Sequence, residues 1–510
     1  MAESWESWEQ GETKPNNMIT NLMHWVHPTS ESRIDDRNIG VPIFLSAIFL
    51  LLPCSPALAA DARIGFRGNG TGRFPEANPP VNWSATSNVV WKAPMAGRCN
   101  GSPIAVGDRV FTCSEPGMLL CVSAADGKVL WSDTATFFDT VPEDDAEATA
   151  IIAKVNAAKT EQEKEAVKVA LKKDILRCEY FEMPPVMGEH FGFTFEYTMP
   201  TPTSDGKQVY VVYGTGLVAA YDLNGRRQWL RMLVKPTSAT GYSASPLLAG
   251  GRLVICMGGL LQGLDPASGK TVWKVDHKER NGSPVRAQVG GTELVVMPYG
   301  KVYRASDGKL MADEATCNGQ LTAIVHGDVV YSSWDESFSG EGAPKFLAKK
   351  GERRLMAARL KPGEDGMILV EKLWETEERP SSYSSPVYHD GLIYNKVDGG
   401  KNQFQVVAFD TATGQVAYKS PPRAVNKGTD PHPCITLAGP YIYGGFDSGQ
   451  MWVFKPGREF QEVSFNALAK SGLGGSLGQE DHDQMTSPPF FIGSRMYIRS
   501  HKFLWCIGPK

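Results

Sequence analysis

The chain has 510 residues, of which 42% are hydrophobic and 52 are glycine, and its formal net charge is −4. A chain of this length and composition can bury a large core, and its glycine content suits a fold with many tight turns. The small negative charge excludes a general attraction to nucleic acid, so we expect no nucleic-acid partner.

An apolar stretch at residues 41–52 stands near the start of the sequence. It is too short to cross a bilayer as a helix, and Ala57-Leu58-Ala59 follows it as a small-x-small cleavage pattern. This predicts an N-terminal extension and signal peptide over residues 1–59, cut near Ala59. The mature chain, residues 60–510, has no further stretch of this kind. We therefore expect a periplasmic or extracellular protein without a transmembrane segment.

A short pattern recurs along the mature chain. Each copy has two apolar strands, then an Asp, a turn that ends in Gly, and an aromatic residue, most clearly in the copies that end at Trp229 and Trp273. Repeats of roughly 40 to 50 residues with four short strands are typical of a β-propeller. Eight copies are marked by Ser102, Pro202, Ser245, Ser283, Val329, Ser385, Tyr441 and Ser487.

The last copy has three strands, and residues 88–92 offer the missing fourth. We therefore predict an all-β fold, an eight-bladed propeller whose ring is closed by an N-terminal strand. In the repeat, the Asp accepts hydrogen bonds from the following turn and the Gly supplies a positive φ. The aromatic residue is expected to pack between blades. These inter-blade aromatics are Trp91, Trp131, Trp229, Trp273 and Trp374.

Two insertions interrupt the predicted ring, at residues 137–199 and 335–354. The first contains a helical pattern over residues 142–176, with a capping box at Thr160 and Glu163, and predicts a helical hairpin. The second is rich in glycine, lysine and serine, which favours a hairpin loop.

Eight cysteines follow the predicted cleavage site, and none belongs to a Cys-x-x-Cys pair. Cys113 and Cys121 flank the turn at Pro116-Gly117. Two interpretations remain open for them, a disulfide across a hairpin and two buried thiols.

The segments that lead into the first strand of each blade are polar. In a propeller these segments lie at a channel mouth, where imidazole and carboxylate groups suit divalent cations and guanidinium suits anions. An ordinary hydrated mouth explains the same composition. The candidate ligand or cofactor residues are His190, Arg280, Asn281, Arg379, His432, Asp481, His482 and Asp483.

The repeat resembles the quinoprotein-type repeat, Ala-x-Asp-x-x-Thr-Gly-x-x-x-Trp. The opening Gly65-Phe66-Arg67-Gly68, with Trp83 and residues 88–92, is similar to that of bacterial PQQ-like propellers. The resemblance covers almost the whole mature chain and implies eight blades. It does not imply the cofactor, because fold alone does not define function.

Three functions follow from this resemblance and from the polar mouth. The first is a noncatalytic scaffold that binds a cell-envelope protein or peptide, as in outer-membrane assembly propellers. The second is a dehydrogenase that oxidises alcohols or sugars with PQQ and calcium. The chain lacks the adjacent cysteine pair that alcohol-oxidising quinoproteins place beside the quinone, and no catalytic residue is assigned. The third is a binder of a small anion, glycan or metal. We expect a monomer.

Overall fold

The computed structural model describes residues 63–142, 145–181, 200–234, 244–277, 282–316, 321–335, 353–376, 384–398, 402–426, 429, 433–468 and 483–509. The predicted signal peptide lies outside these ranges. The described strands form eight sheets, and each sheet is an antiparallel meander of four main strands. The eight-bladed β-propeller predicted from the repeats is confirmed.

Runs of β-branched and aromatic residues form the strands, and turns with positive-φ glycines separate them. Blades 1 and 2 contain β3 (Ile104–Val106), β4 (Arg109–Ser114), β5 (Met118–Ser123) and β6 (Val129–Thr134), then β7 (Thr203–Ser204), β8 (Gln208–Val212), β9 (Leu217–Asp222) and β10 (Arg227–Met232). Blades 3 and 4 contain β11 (Leu247–Ala249), β12 (Arg252–Met257), β13 (Leu260–Leu264) and β14 (Thr271–Asp276), then β15 (Val285–Val289), β16 (Thr292–Val296), β17 (Val302–Arg304) and β18 (Leu310–Ala312).

The second half of the ring follows the same plan. Blades 5 and 6 contain β19 (Ile324–His326), β20 (Val329–Asp335), β21 (Arg353–Pro362) and β22 (Ile368–Thr376), then β23 (Val387–His389), β24 (Leu392–Asp398), β25 (Gln403–Asp410), β26 (Val416–Lys419) and β27 (Arg423–Ala424). Blade 7 contains β28 (Thr436–Ala438), β29 (Tyr441–Gly445), β30 (Gln450–Lys455) and β31 (Gln461–Ala467), and blade 8 contains β32 (Phe490–Ile492), β33 (Arg495–Arg499) and β34 (Phe503–Ile507).

The fourth strand of blade 8 comes from the other end of the chain. β2 (Val89–Pro94) pairs antiparallel with β34, with Trp91 opposite Cys506. The ring closure predicted from residues 88–92 is therefore present. It joins the first and last parts of the propeller, so neither end of the ring is left as an open seam.

Each repeated tryptophan reaches the turn of the following blade. The Trp131 indole donates to the Leu223 carbonyl oxygen at 3.0 Å, and the Trp229 indole donates to the Pro266 carbonyl oxygen at 2.9 Å. The glycine of the receiving turn lies against the indole: a Cβ on Gly269 would be 2.6 Å from Trp229. Trp91, Trp273 and Trp374 donate in the same way to Ala124, Ala305 and Thr411. The repeated Gly-x-x-x-Trp thus encodes both halves of an inter-blade joint: the glycine of one copy receives the indole of the copy before it.

The predicted helical insertion contains three helices, α1 (Ala146–Asn156), α2 (Glu161–Ala170) and α3 (Lys172–Arg177). The capping box is formed as expected: the Glu163 amide donates to Thr160 Oγ1 at 3.2 Å, and the Thr160 amide donates to Glu163 Oε2 at 3.1 Å. Residues 150–177 belong to a compact unit separate from that of the propeller strands. Among the described residues, no helix has both the length and the apolar content needed to cross a membrane.

Cys113 and Cys121 are both free, buried thiols, so a disulfide between them is not formed. In the β4–β5 pair, Cys113 lies opposite Leu119 and Cys121 lies opposite Phe111. The two cysteines are therefore diagonal neighbours, about 7–8 Å apart in such a ladder, which is beyond the usual reach of a disulfide. The alternative of two buried thiols is the correct one.

Candidate functional site

The first strands of the blades line the central channel and contact one another from blade to blade. Ser or Thr stands just before most of these strands and joins neighbouring blades. The Ser102 amide donates to Thr201 Oγ1 at 3.0 Å, and the Thr201 amide donates to Ser245 Oγ at 3.1 Å. The Ser245 amide donates to Ser283 Oγ and the Ser283 amide to Thr322 Oγ1, both at 2.9 Å. We call these five residues the hydroxyl belt.

The belt satisfies buried backbone amides that the sheets leave free. Each of its members is 5% exposed or less, and an unpaired buried amide is costly. Because the side chain of one blade accepts from the backbone of the preceding blade, the belt fixes the angular spacing of blades 1 to 5. It lies at the end of the channel where the connections between blades arrive, which we call the loop end.

The chain's own N-terminal segment crosses the opposite end of the channel, where each first strand turns into the second. We call residues 63–79 the plug and this end the turn end. β1 (Arg73–Phe74) pairs in parallel with β28, and Ile64 exchanges backbone hydrogen bonds of 2.8 and 2.7 Å with Ser204 in β7. The plug is therefore held as an added strand by blades on different sides of the ring.

Further contacts hold the plug along its length. Arg63 pairs with Glu293 of blade 4 at 2.7 Å. The Phe74 ring packs against Phe490 and Phe491 of blade 8, with centroid distances of 5.2 Å. The cavity beside the plug measures about 30 Å³, which is room for a water molecule and far below the size of a cofactor site. The turn end is thus closed by the protein itself.

The belt is interrupted at blade 7, where Cys434 stands in the position that Ser or Thr occupies in other blades. There Lys396, which is 1% exposed, donates from Nζ to the Pro433 carbonyl oxygen at 2.7 Å and also to the Gly445 carbonyl oxygen. Burial lowers the pKa of Lys396 to about 7, and Cys434 and Asp447 act in the opposite direction. Blades 6 and 7 are therefore joined by an ammonium group in place of a hydroxyl.

Of the predicted mouth residues, Asp483 alone lies within the described ranges. Its Oδ2 accepts from Ser500 Oγ at 3.0 Å and its Oδ1 accepts from the Lys502 amide at 2.8 Å. Burial raises its pKa above the usual value. In this position the carboxylate holds the connection into blade 8 on the β33–β34 turn. His190, Arg280, Asn281, Arg379, His432, Asp481 and His482 lie outside the described residues.

Ser500, His501 and Asp483 bring together the residue types of a nucleophilic triad, but their hydrogen bonds follow another order. Asp483 accepts directly from Ser500, whereas His501 Nε2 lies 3.1 Å from Asn100 Oδ1. Burial lowers the pKa of His501 to about 3. Since the imidazole does not bridge the hydroxyl and the carboxylate, this arrangement does not activate Ser500.

A calcium-bound quinone needs several oxygen ligands, usually including carboxylates. No group of three His, Cys, Asp or Glu side chains in the described ranges could hold a metal ion. The hydroxyls of the belt are already acceptors for backbone amides, and Asp483 holds a turn. The described part of the channel therefore does not fit this cofactor.

Two features of the channel were absent from the sequence predictions. The belt residues stand in Ser-Pro or Thr-Pro dipeptides in blades 1 to 4 and in Thr322-Ala323 in blade 5. The recurrence of Ser-Pro at the start of most copies is the available signal. The glycine-rich stretch from Gly65 to Gly72 carries the plug. Its closely spaced glycines indicate a close backbone approach, but sequence does not show which strands it meets.

The described chain is an eight-bladed β-propeller whose channel is closed at the turn end by its own N-terminal segment. The model of the family described as outer membrane protein assembly factor BamB matches residues 81–260 and 198–420. The chain therefore belongs to this family of PQQ-like repeat propellers. No curated protein matches the chain significantly.

Solved structures with a similar fold include BamB from Moraxella catarrhalis, with 14% identity, 82% of this chain and 98% of that chain covered, and a TM-score of 0.47. Quinohemoprotein alcohol dehydrogenase from Comamonas testosteroni has 10% identity, 89% and 82% coverage, and a TM-score of 0.47. The computationally designed Ika8 protein has 8% identity, 82% and 99% coverage, and a TM-score of 0.47. At these identities the likeness concerns the fold alone.

Proposed function

We propose that the protein is a noncatalytic scaffold of the bacterial cell envelope, secreted with cleavage near Ala59, that holds an extended segment of a protein partner. The model of its family is described as an outer membrane protein assembly factor, and an assembly factor acts by binding other proteins. This supports a partner that is a protein and a site that is a surface of the propeller.

The observation that carries the proposal is the outer edge of blade 1. Within the described residues, β6 has β5 as its sheet neighbour on one side. Val129 and Leu130 of β6 are 48% and 51% exposed. An edge strand with free backbone groups and apolar side chains accepts an extended peptide by strand addition. The plug shows this mode within the molecule, because β1 adds to β28 in the same way.

The test places a photoreactive amino acid at position 130 of the full chain, expressed in its native envelope. The matched control is position 228, because Gln228 occupies the equivalent place in the outer strand of blade 2, before Trp229, and is polar. The expected result is one discrete protein adduct from position 130, which Val129→Asp reduces, and none from position 228. Equal labelling at both positions, or none at either, would contradict the proposal.

The dehydrogenase alternative is tested separately by calorimetric titration of the mature protein with PQQ and calcium, followed by a dye-linked oxidation assay on alcohols and sugars. The scaffold proposal expects no heat of binding at high micromolar PQQ and no substrate-dependent dye reduction. Tight binding in equal proportion with dye reduction would establish an oxidoreductase instead.

A further inference from the structure

Arg67 is a buried cation in the plug. Its side chain is 2% exposed, and its backbone has a φ of 56°, which is rare outside glycine. Nη2 donates to the Pro386 carbonyl oxygen of blade 6 at 2.5 Å and to the Ile435 carbonyl oxygen of blade 7 at 3.1 Å. Gly72 closes the turn behind it, and a Cβ at that position would clash with the guanidinium. The plug is thus shaped to hold Arg67 at the channel.

The hydrogen-bonding capacity of Arg67 is only partly used. Nε and Nη1 are buried and have no hydrogen-bond partner within the described part of the chain. Carbonyl oxygens accept hydrogen bonds from Nη2, but they do not neutralise its charge. Burial lowers the pKa of Arg67, and the group that counters this is the Cys434 sulfur. A buried guanidinium in this state is costly unless it finds a counter-ion.

A second buried arginine differs from Arg67 in the charged groups around it. Arg499 is 1% exposed and donates to the carbonyl oxygens of Gly97 at 2.6 Å and His501 at 3.0 Å. Burial lowers the pKa of Arg499 as well, and its Nε has no hydrogen-bond partner within the described ranges. The Cys99 and Cys113 sulfurs and the carboxylates of Asp483 and Glu115, however, favour its charged form. Among the described residues, the groups that act on Arg67 include no carboxylate.

The surroundings of Arg67 carry further groups that favour an anion. The segment 433–435 receives Arg67 at Ile435 and Lys396 at Pro433, so two basic side chains hold the same short stretch. The buried Asp447 carboxylate acts on Lys396 but is not among the groups that act on Arg67. Within the described ranges, Arg67 is therefore the basic group at this place without a carboxylate counter-charge.

We propose that Arg67, together with the channel-facing ends of blades 6 and 7, forms a binding site for a small monoanion, a halide or a simple carboxylate. The anion accepts hydrogen bonds from the unused guanidinium N–H groups and supplies the counter-charge that the described residues do not provide. The bound anion thereby stabilises the contact between the plug and blades 6 and 7. The site is independent of partner binding at blade 1.

The first experiment measures thermal unfolding of the mature protein in sodium chloride, bromide or formate, with methanesulfonate keeping the ionic strength constant. The expected result is a saturable rise in Tm with the small anions. In Arg67→Gln the half-saturating concentration rises at least tenfold. Arg63→Gln, which removes a charge from the same plug but one that already pairs with Glu293, leaves it within twofold. A rise confined to formate identifies a carboxylate site, and a rise with all three identifies a halide-compatible one.

The second experiment does not depend on the folding of a variant. A crystal of the unaltered protein grown in bromide is expected to show an anomalous peak within hydrogen-bond distance of Arg67 Nε or Nη1. Ordered water at both nitrogens without a bromide peak would overturn the proposal. A Tm that follows ionic strength alone, whatever the anion, would overturn it as well.

Discussion

The two arcs of the ring are joined at the channel by different chemistry. Blades 1 to 5 use the hydroxyl belt, a neutral amide-to-hydroxyl bond of 2.9–3.1 Å that recurs at each boundary. Blades 6 and 7 use Lys396 and Arg67, two buried basic side chains that donate to backbone carbonyl oxygens. Each neutral hydrogen bond of the belt contributes a small part of the free energy of unfolding. A buried charged side chain instead combines a large desolvation penalty with strong hydrogen bonds at a single site. The second arc is therefore where pH and ions act on this fold.

The contacts between each repeat tryptophan and the glycine turn of the next blade serve as a reference for this comparison. They occur among blades 1 to 4 and also at blade 6, where Gly414 receives Trp374. Gly269→Ala in blade 3 introduces a Cβ 2.6 Å from Trp229 at a φ of 70°. We expect it to lower the free energy of unfolding by about 2–4 kcal/mol, from the strained backbone and the displaced indole. Gly414→Ala against Trp374 in blade 6 should cost about as much.

Two nearby glycines separate the backbone strain from the clash. Gly251 has a φ of 69° with open space around its Cβ position, and Gly391 has a φ of 75° with Thr411 Oγ1 at 3.8 Å. Alanine at either should cost about 1 kcal/mol. Urea denaturation of the four variants checks this. A clearly larger clash penalty in one arc would show that the arcs differ at the rim as well as at the channel.

The next largest effect concerns Lys396 and pH. Its pKa falls to about 7 on folding from an ordinary value of 10.5, so between these values the unfolded chain holds a proton that the folded chain lacks. Its contribution to the free energy of unfolding therefore rises with pH over this window, by up to about 1.4 kcal/mol per pH unit. Below pH 7 the folded state carries the full penalty of the buried charge.

Lys396→Met should remove this slope while retaining most of the packing volume. Denaturation curves at pH 7, 8, 9 and 10 measure it, with Lys92→Met as a control for a lysine at the protein surface. If both variants keep the dependence of the free energy of unfolding on pH that the unaltered protein shows, Lys396 does not change its protonation state on folding.

A smaller effect is expected from the belt. Ser245→Ala removes the acceptor of the buried Thr201 amide, at a cost of about 1–2 kcal/mol. Since the bond is neutral, the cost should be the same at pH 7 and pH 9, unlike that at Lys396. Equilibrium unfolding at the two pH values checks both points. A pH-dependent cost would mean that the two arcs are not chemically distinct.

Sequence predicted the parts of this structure that repeat. An Asp, a Gly and a Trp or Tyr recur in this order, with a fixed Gly-to-aromatic spacing in most copies, so blade number and ring closure could be derived from them. In blades 5 and 7, where neither Ser-Pro nor Thr-Pro precedes the first strand, the second strands at Val329 and Tyr441 mark the copy. Their first strands, β19 and β28, are short and follow Thr322-Ala323 and Cys434-Ile435, which carry no repeat signal.

The channel features depend on contacts between distant parts of the chain, and this is why sequence predicted them poorly. Arg67 and Ile435 are 368 residues apart, and nothing local to either indicates the other. Lys396 lies in a strand where a buried apolar residue is the usual expectation. Polar residues near a predicted channel mouth were readily selected by composition, but Asp483 shows that such a residue can hold a turn.

The smallest effect comes from exchanging the residues that distinguish the arcs. Cys434→Ser gives blade 7 the hydroxyl that the belt has elsewhere, and Ser245→Cys gives blade 3 the thiol of blade 7. We expect Cys434→Ser to change the free energy of unfolding by less than about 0.5 kcal/mol, because Arg67 and Lys396 already hold blades 6 and 7 together. Ser245→Cys should cost about 1 kcal/mol, because sulfur is a weak acceptor for the Thr201 amide. Urea denaturation of both variants, side by side, measures the asymmetry. If Cys434→Ser raises the free energy of unfolding by as much as Ser245→Cys lowers it, blade 7 is less stable for want of the belt hydroxyl. Arg67 and Lys396 would then not take the place of the belt between blades 6 and 7.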